Sequence, residues 1–251
     1  MTEDGRMLPR AAQVGRQLKD HGLLVQLTRS DRHRIATKME LVSLASNEMI
    51  FDTSGAIEDV FFPLSAVLSL SGTTTDGDAV EINLIGCEGI AGVEVALRTR
   101  FCGQPLFSTI VQIPGTALRM KAEHFAEEVD QHPAVNRCVY RYMGFFLSQL
   151  QLFGACNRHH SLEQRCARRL LTAQDMTDGA QTLCMTQHQL AQLLGVSRQS
   201  IDRVLHVLEE RNILHLSRGQ VRIHDRKELK LLSCLCYRIL RRGRHGLLAS
   251  A

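Results

Sequence analysis

Residues 186–214 read TQHQLAQLLGVSRQSIDRVLHVLEERNIL, and their apolar spacing predicts two short helices joined by a tight turn. Leu190, Ala191 and Leu194 share one face of the first helix, which Thr186 caps, with Gln189 completing a capping-box pattern. Gly195 ends it where a left-handed residue is wanted. Ser197 caps the second helix, whose apolar stripe is Ile201, Val204, Leu205 and Leu208. Small Ala191 lets the second helix cross the first closely. The pair reads as a helix-turn-helix, with its second helix shaped for a DNA major groove.

The polar face of that helix carries Arg198, Gln199, Asp202, Arg203 and His206. Arg suits bidentate contact with guanine and Gln with adenine. An ordinary αα-corner would share the two helices and a solvated charged face. The small residue, the turn glycine and the basic outer face together favour DNA.

Charge supports this. Residues 1–157 hold 14 Lys/Arg against 18 Asp/Glu, a balance of −4, whereas residues 158–251 hold 16 against 8, a balance of +8. Positive charge is concentrated with the helix-turn-helix, as an electrostatic DNA footprint requires. No apolar run approaches a membrane span and the N-terminal stretch is no secretory signal, so no membrane and a cytoplasmic location are expected.

Upstream, β-like runs lie at 41–44, 48–51, 57–62, 66–71, 79–85, 108–113 and 117–120. Turn signals separate them at Ser54-Gly55, Asp76-Gly77-Asp78, Gly86, Gly89 and Pro114-Gly115. Strands so spaced predict an antiparallel sandwich or jelly roll, and the fold class is α+β. A short helix is expected over 121–130 and a long one from Pro133. Within the long helix Val135, Val139, Tyr142, Phe146, Gln149, Phe153 and Cys156 recur at alternating spacings of four and three. That heptad seam predicts pairing with a twin in a homodimer, while Phe145, Leu147, Leu150 and Leu152 supply a second apolar face. A helix over 161–175 offers Arg165, Arg168 and Arg169 for phosphates. The runs ILHLS and QVRIH, joined around Arg218-Gly219, predict a wing. A closing helix over 226–242 precedes a loose end. The expected units are a tail (1–21), a β-roll sensor-like domain (22–130), a dimerisation helix (131–157) and a winged helix-turn-helix domain (158–251).

The stretches IEDVFFPLSAVLSL (57–70) and LAQLLGVSRQSIDRVLHVLEERNIL (190–214) resemble the Crp/Fnr family of bacterial transcription regulators. The resemblance spans roughly residues 22–242 and implies a homodimer on a two-fold symmetric DNA site that recruits or blocks RNA polymerase. It implies base reading by Arg198, Gln199 and Arg203. Contacts with the DNA backbone are expected from Arg168, Arg169, Thr186, Gln187, Ser197, Ser200 and Arg218. The family usually has Glu where Gln199 stands, so its consensus half-site does not carry over.

The effector site departs from the family. Cyclic-nucleotide-binding members pair Gly with Glu and place an Arg before Ser/Thr-Ala. Here Gly92 is followed by Val93, Glu94 comes one place late, and Phe107 precedes Ser108-Thr109. Arg98 and Arg100 belong to the wrong element. Without a positioned guanidinium a buried phosphate lacks its charge-assisted bonds, so an effector other than cyclic AMP, or none, is expected. A cyclic-nucleotide- or other small-ligand-binding regulatory module is the alternative reading. No nucleophile–base pair or phosphate loop points to an enzyme.

Cysteines stand at 87, 102, 138, 156, 166, 184, 234 and 236, with no iron–sulfur spacing. Cys156, His159, His160 and Cys166 lie close in sequence but match no zinc pattern, so neither metal nor cofactor is expected. Cys234 and Cys236, read as helical, would point to different faces. A redox thiol at Cys102 and haem ligation by a histidine stay open, and nothing singles out either.

Overall fold

The computed structural model describes residues 10–73, 79–97, 107–177 and 179–249. The Asp76-Gly77-Asp78 turn, Arg98, Arg100 and Cys102 lie outside the described residues.

The front half opens with helices. α1 (Arg10–Gln17) and α2 (Arg29–Ala36) precede the first strand, with a 3-10 turn at Leu24–Gln26 between them. Val14, Leu18, Leu23 and Leu24 are buried in the same core as Val60, Phe62 and Phe125. Residues from Val14 onward are therefore part of that core and no tail, which corrects the expected boundary at residue 22.

Among the described residues seven antiparallel strands follow: β1 (Met39–Leu44), β2 (Met49–Phe51), β3 (Asp59–Pro63), β4 (Val67–Thr73), β5 (Ala79–Ile85), β6 (Ser108–Ile113) and β7 (Gly115–Lys121). They form two sheets, ordered β1-β7-β3 and β2-β6-β4-β5. Both sheets contribute to one apolar layer, with Leu44, Phe61 and Ala117 from the first and Phe51, Leu68 and Val111 from the second. The β6–β7 turn needs Gly115, because a Cβ there would sit 2.5 Å from the Ala66 backbone nitrogen.

α3 (Ala122–Gln131) leads into α4 (Pro133–His159), with Pro at the helix start where no amide partner is lost. α4 packs on its own β domain through Val135, Cys138, Val139 and Tyr142. Farther along, Gln149 accepts a hydrogen bond from Asn83 of β5 (3.1 Å).

The back half comprises α5 (Leu162–Met176), β8 (Thr182–Cys184), α6 (Gln187–Leu194), α7 (Arg198–Glu210), β9 (Leu214–Ser217), β10 (Gln220–Ile223), α8 (Arg226–Leu232) and α9 (Leu235–Ala249). Its core joins Leu170, Leu190, Leu194, Ile201, Leu205, Val221 and Leu229. The wing has three strands, β8-β10-β9, one more than the two runs read from the sequence. The closing helix is broken at Ser233, whose backbone is extended, and its second half continues to Ala249. α9 runs back antiparallel along α4: Cys236 lies beside His160, and Arg141 donates to the Leu247 carbonyl (2.7 Å). Among the described residues no helix is long and apolar enough to cross a membrane.

Candidate nucleic-acid interface

Local chemistry builds the α6–α7 pair. The Thr186 hydroxyl accepts from the Gln189 amide (3.1 Å), and the Gln189 side chain accepts from the Thr186 amide (2.8 Å). Gly195 ends α6 at φ +62°, a left-handed conformation that a side chain resists. Ser197 starts α7 by accepting from the Ser200 amide (3.3 Å). Ile201, Leu205 and Leu208 are fully buried, which fixes the rotation of α7 and turns its other face outward.

Arg198, Gln199, Arg203 and His206 occupy that outer face and are exposed. Arg198 lies 3.8 Å from Asp202 one turn on, and Arg203 donates to the Gln199 carbonyl (3.3 Å). Both contacts are at the surface and weak, leaving the guanidinium groups available to an incoming partner. Arg218 is exposed at the wing tip, where Gly219 takes φ +74°. Thr186 and Ser197 are exposed and Gln187 and Ser200 half-buried at the starts of α6 and α7. Backbone amides at a helix start suit phosphate.

The arginines of α5 are a correction. Arg165 donates to the Leu194 carbonyl (3.1 Å), satisfying the end of α6. Arg169 is buried in an ion pair with Glu81 of β5. Arg168 is buried with its guanidinium 4.5 Å above the Phe153 ring. Buried, one over an aromatic ring and the other in an ion pair, Arg168 and Arg169 are out of reach of a phosphate. Burial pushes the Glu81 carboxyl up to about 7, and the nearby guanidinium groups stop it rising further. Burial likewise lowers Arg169 to about 10, against the pull of Glu81.

The expected dimer seam is also corrected. Val135, Val139, Tyr142 and Gln149 are buried against the chain's own β domain, Phe146 packs on that same core, and Phe153 stacks under Arg168. The outward stripe of α4 is Tyr140, Gly144, Leu147, Gln151 and Gly154, again at alternating spacings of four and three. Tyr140 and Leu147 are 48% and 56% exposed, and a Cβ on either glycine would meet nothing within 4 Å.

Between α4 and the β4–β5 face lies an apolar cleft of about 530 Å³, lined among others by Leu70, Ile82, Val93, Phe107, Met143 and Leu150. Glu94 is the one charged side chain among its described lining residues, and burial pushes its carboxyl up.

Residues 164–232 match the family described as the Crp-like helix-turn-helix domain. No curated protein matches the chain. Among solved structures, FixK2 of Bradyrhizobium japonicum is 15% identical with a TM-score of 0.65, covering 78% of this chain and 98% of its own. A putative Crp/Fnr-family transcriptional regulator from Eubacterium rectale is 19% identical with a TM-score of 0.62, covering 84% and 96%. CLP, the c-di-GMP responsive global regulator of Xanthomonas campestris, is 14% identical with a TM-score of 0.64, covering 79% and 100%. At these identities the likeness is one of fold.

Proposed function

We infer that this chain, a Crp/Fnr-type transcription regulator with a helix-turn-helix DNA-binding domain, acts as a homodimer on a two-fold symmetric site. The observation that carries this reading is the outer face of α7, where Arg198, Gln199 and Arg203 stand exposed on a helix rigidly seated in its domain core. Arg198 and Arg203 read guanines and Gln199 an adenine. Ser197, Ser200, Thr186 and Gln187 hold the backbone at the two helix starts, and Arg218 of the wing adds a phosphate contact.

The dimer forms along the Tyr140–Gly144–Leu147–Gln151–Gly154 stripe. An exposed mid-helix glycine costs about 1 kcal/mol relative to alanine, and close approach of a twin helix gives Gly144 and Gly154 a use. Two half-sites one helical turn apart then meet two recognition helices, and DNA-bound dimers contact RNA polymerase.

The effector of this regulator is an uncharged, apolar small molecule held between α4 and β5. No Arg or Lys is among the described residues lining the cleft to pair with a cyclic phosphate.

Selection of duplexes from a random pool by the reduced protein tests the reading. Enrichment of a palindrome is expected, and absence of binding even at low salt would overturn it. Cyclic nucleotides are expected to leave the melting temperature unchanged.

A further inference from the structure

The last turn of α4 and the first turn of α9 bring four soft ligands together. Cys156 lies in the last turn of α4, and His160 is the residue that caps its C-terminus, its amide donating to the Cys156 carbonyl (3.1 Å). Cys234 follows the extended Ser233 just before α9 and Cys236 lies in its first turn, and both are buried while Leu235 between them is 54% exposed. The helical reading of the C-x-C pair, with divergent side chains, fails at this break.

The four ligand atoms lie within 4.8 Å of one another. Cys156 Sγ is 3.6 Å from Cys234 Sγ, and Cys236 Sγ is 3.7 Å from His160 Nδ1. Ligands at the corners of a tetrahedron around zinc, with Zn–S near 2.3 Å, stand about 3.8 Å apart. The cluster thus has the identity, number and spacing of a closed Cys₃His site.

Charge completes the case. Three thiolates and a neutral imidazole around a divalent ion carry one net negative charge. Arg168 and Arg169 are both buried beside a single carboxylate, Glu81. Arg168 is buried with its guanidinium over the Phe153 ring, and its Nε has no hydrogen-bond partner among the described residues. The metal-bound tetrad supplies the missing counter-charge, with Arg168 as its supporting neighbour.

We propose that Cys156, His160, Cys234 and Cys236 bind one zinc ion, stapling the start of α9 to the end of α4. This reverses the expectation of no metal, which rested on Cys156, His159, His160 and Cys166 as sequence neighbours. Cys166 is instead fully buried in the DNA-binding core. α9 begins beyond residue 232, where the Crp-like domain match ends, so the staple fastens an added helix to the joint between the two halves.

The test is a cobalt(II) titration of the full chain, stripped of metal by chelator under anaerobic reducing conditions. Tetrahedral visible bands and thiolate-to-cobalt charge transfer should saturate at one equivalent and vanish with one equivalent of zinc. Cys234→Ser and Cys236→Ser should each reduce the charge transfer and weaken binding by about tenfold or more, and Arg168→Met by on the order of tenfold. Cys184→Ser, at an exposed thiol elsewhere, should change nothing. His160→Cys should keep one tetrahedral ion and strengthen the charge transfer, which separates loss of a ligand from loss of fold. No tetrahedral spectrum at stoichiometric cobalt overturns the proposal. So does an unaltered spectrum in Cys234→Ser, or a metal-free protein with Cys156 and Cys234 joined as a disulfide.

Discussion

Arg169 of α5 reaches into the front domain and pairs with Glu81 of β5, both side chains more than nine-tenths buried. The pair joins the helix that carries the DNA-binding core to the strand that lines the apolar cleft. Glu81→Gln leaves a buried guanidinium without its carboxylate and should cost about 3–5 kcal/mol in urea unfolding. Glu81→Gln combined with Arg169→Met should recover most of that loss. Additive losses in the double variant would show that the two residues act independently.

On the specific duplex, Arg198→Ala and Arg203→Ala should each weaken binding by about 1–3 kcal/mol and relax discrimination at one base pair. Arg218→Ala should weaken all duplexes alike and lower the salt dependence by roughly one counterion. Titrations at several salt concentrations separate the two behaviours. Arg165→Ala acts differently, lowering stability by freeing the Leu194 carbonyl, with no change in salt slope.

His21 is fully buried with both ring nitrogens engaged: Nε2 meets the Gly89 carbonyl (3.0 Å) and Nδ1 accepts from the Leu24 amide (3.3 Å). Burial lowers its pKa from 6.5 to about 4. The unfolded chain therefore takes up a proton first as pH falls. Stability is fully present above pH 6.5 and is lost between 6.5 and 4, by about 3 kcal/mol over that window. The difference between wild type and His21→Gln across that range isolates the effect, and a pH-independent difference would refute it.

In α4, Leu147→Glu should convert dimer to monomer in sedimentation while leaving the melting temperature nearly unchanged. Val139→Ala should do the reverse: the dimer persists, and stability falls by about 1–3 kcal/mol through a core cavity. A monomer from Val139→Ala with Leu147→Glu still dimeric would restore the seam first read from the sequence.

These cases mark where sequence was informative. The helix-turn-helix was legible because its caps and turn are made within a few residues: Thr186 with Gln189, Ser197 with Ser200, and a left-handed Gly195. The strands were legible for the same reason, from alternation between turns. The long helix was legible too, but the partner face of α4 was not, because apolar residues lie on several of its faces and periodicity cannot tell a partner helix from the chain's own sheet. Arg169 read as a phosphate ligand because its carboxylate lies 88 residues away. The Cys/His cluster was hidden likewise, since antiparallel docking of α9 on α4 creates it. The wing's third strand had only three residues to announce it.

The same docking has a consequence for the order of synthesis. Gln26 donates to the Leu247 carbonyl across 221 positions, and Leu247 belongs to the same core as Val14 and Phe62. A nascent chain can pair β1 to β7 while the ribosome is still translating α5, but the front core keeps an open slot until residue 247 emerges. By then the recognition helix has long been made. The front half is completed only after the half that holds the helix-turn-helix, so an interrupted polypeptide would carry that half beside an unfinished, exposed core that protein quality control can detect.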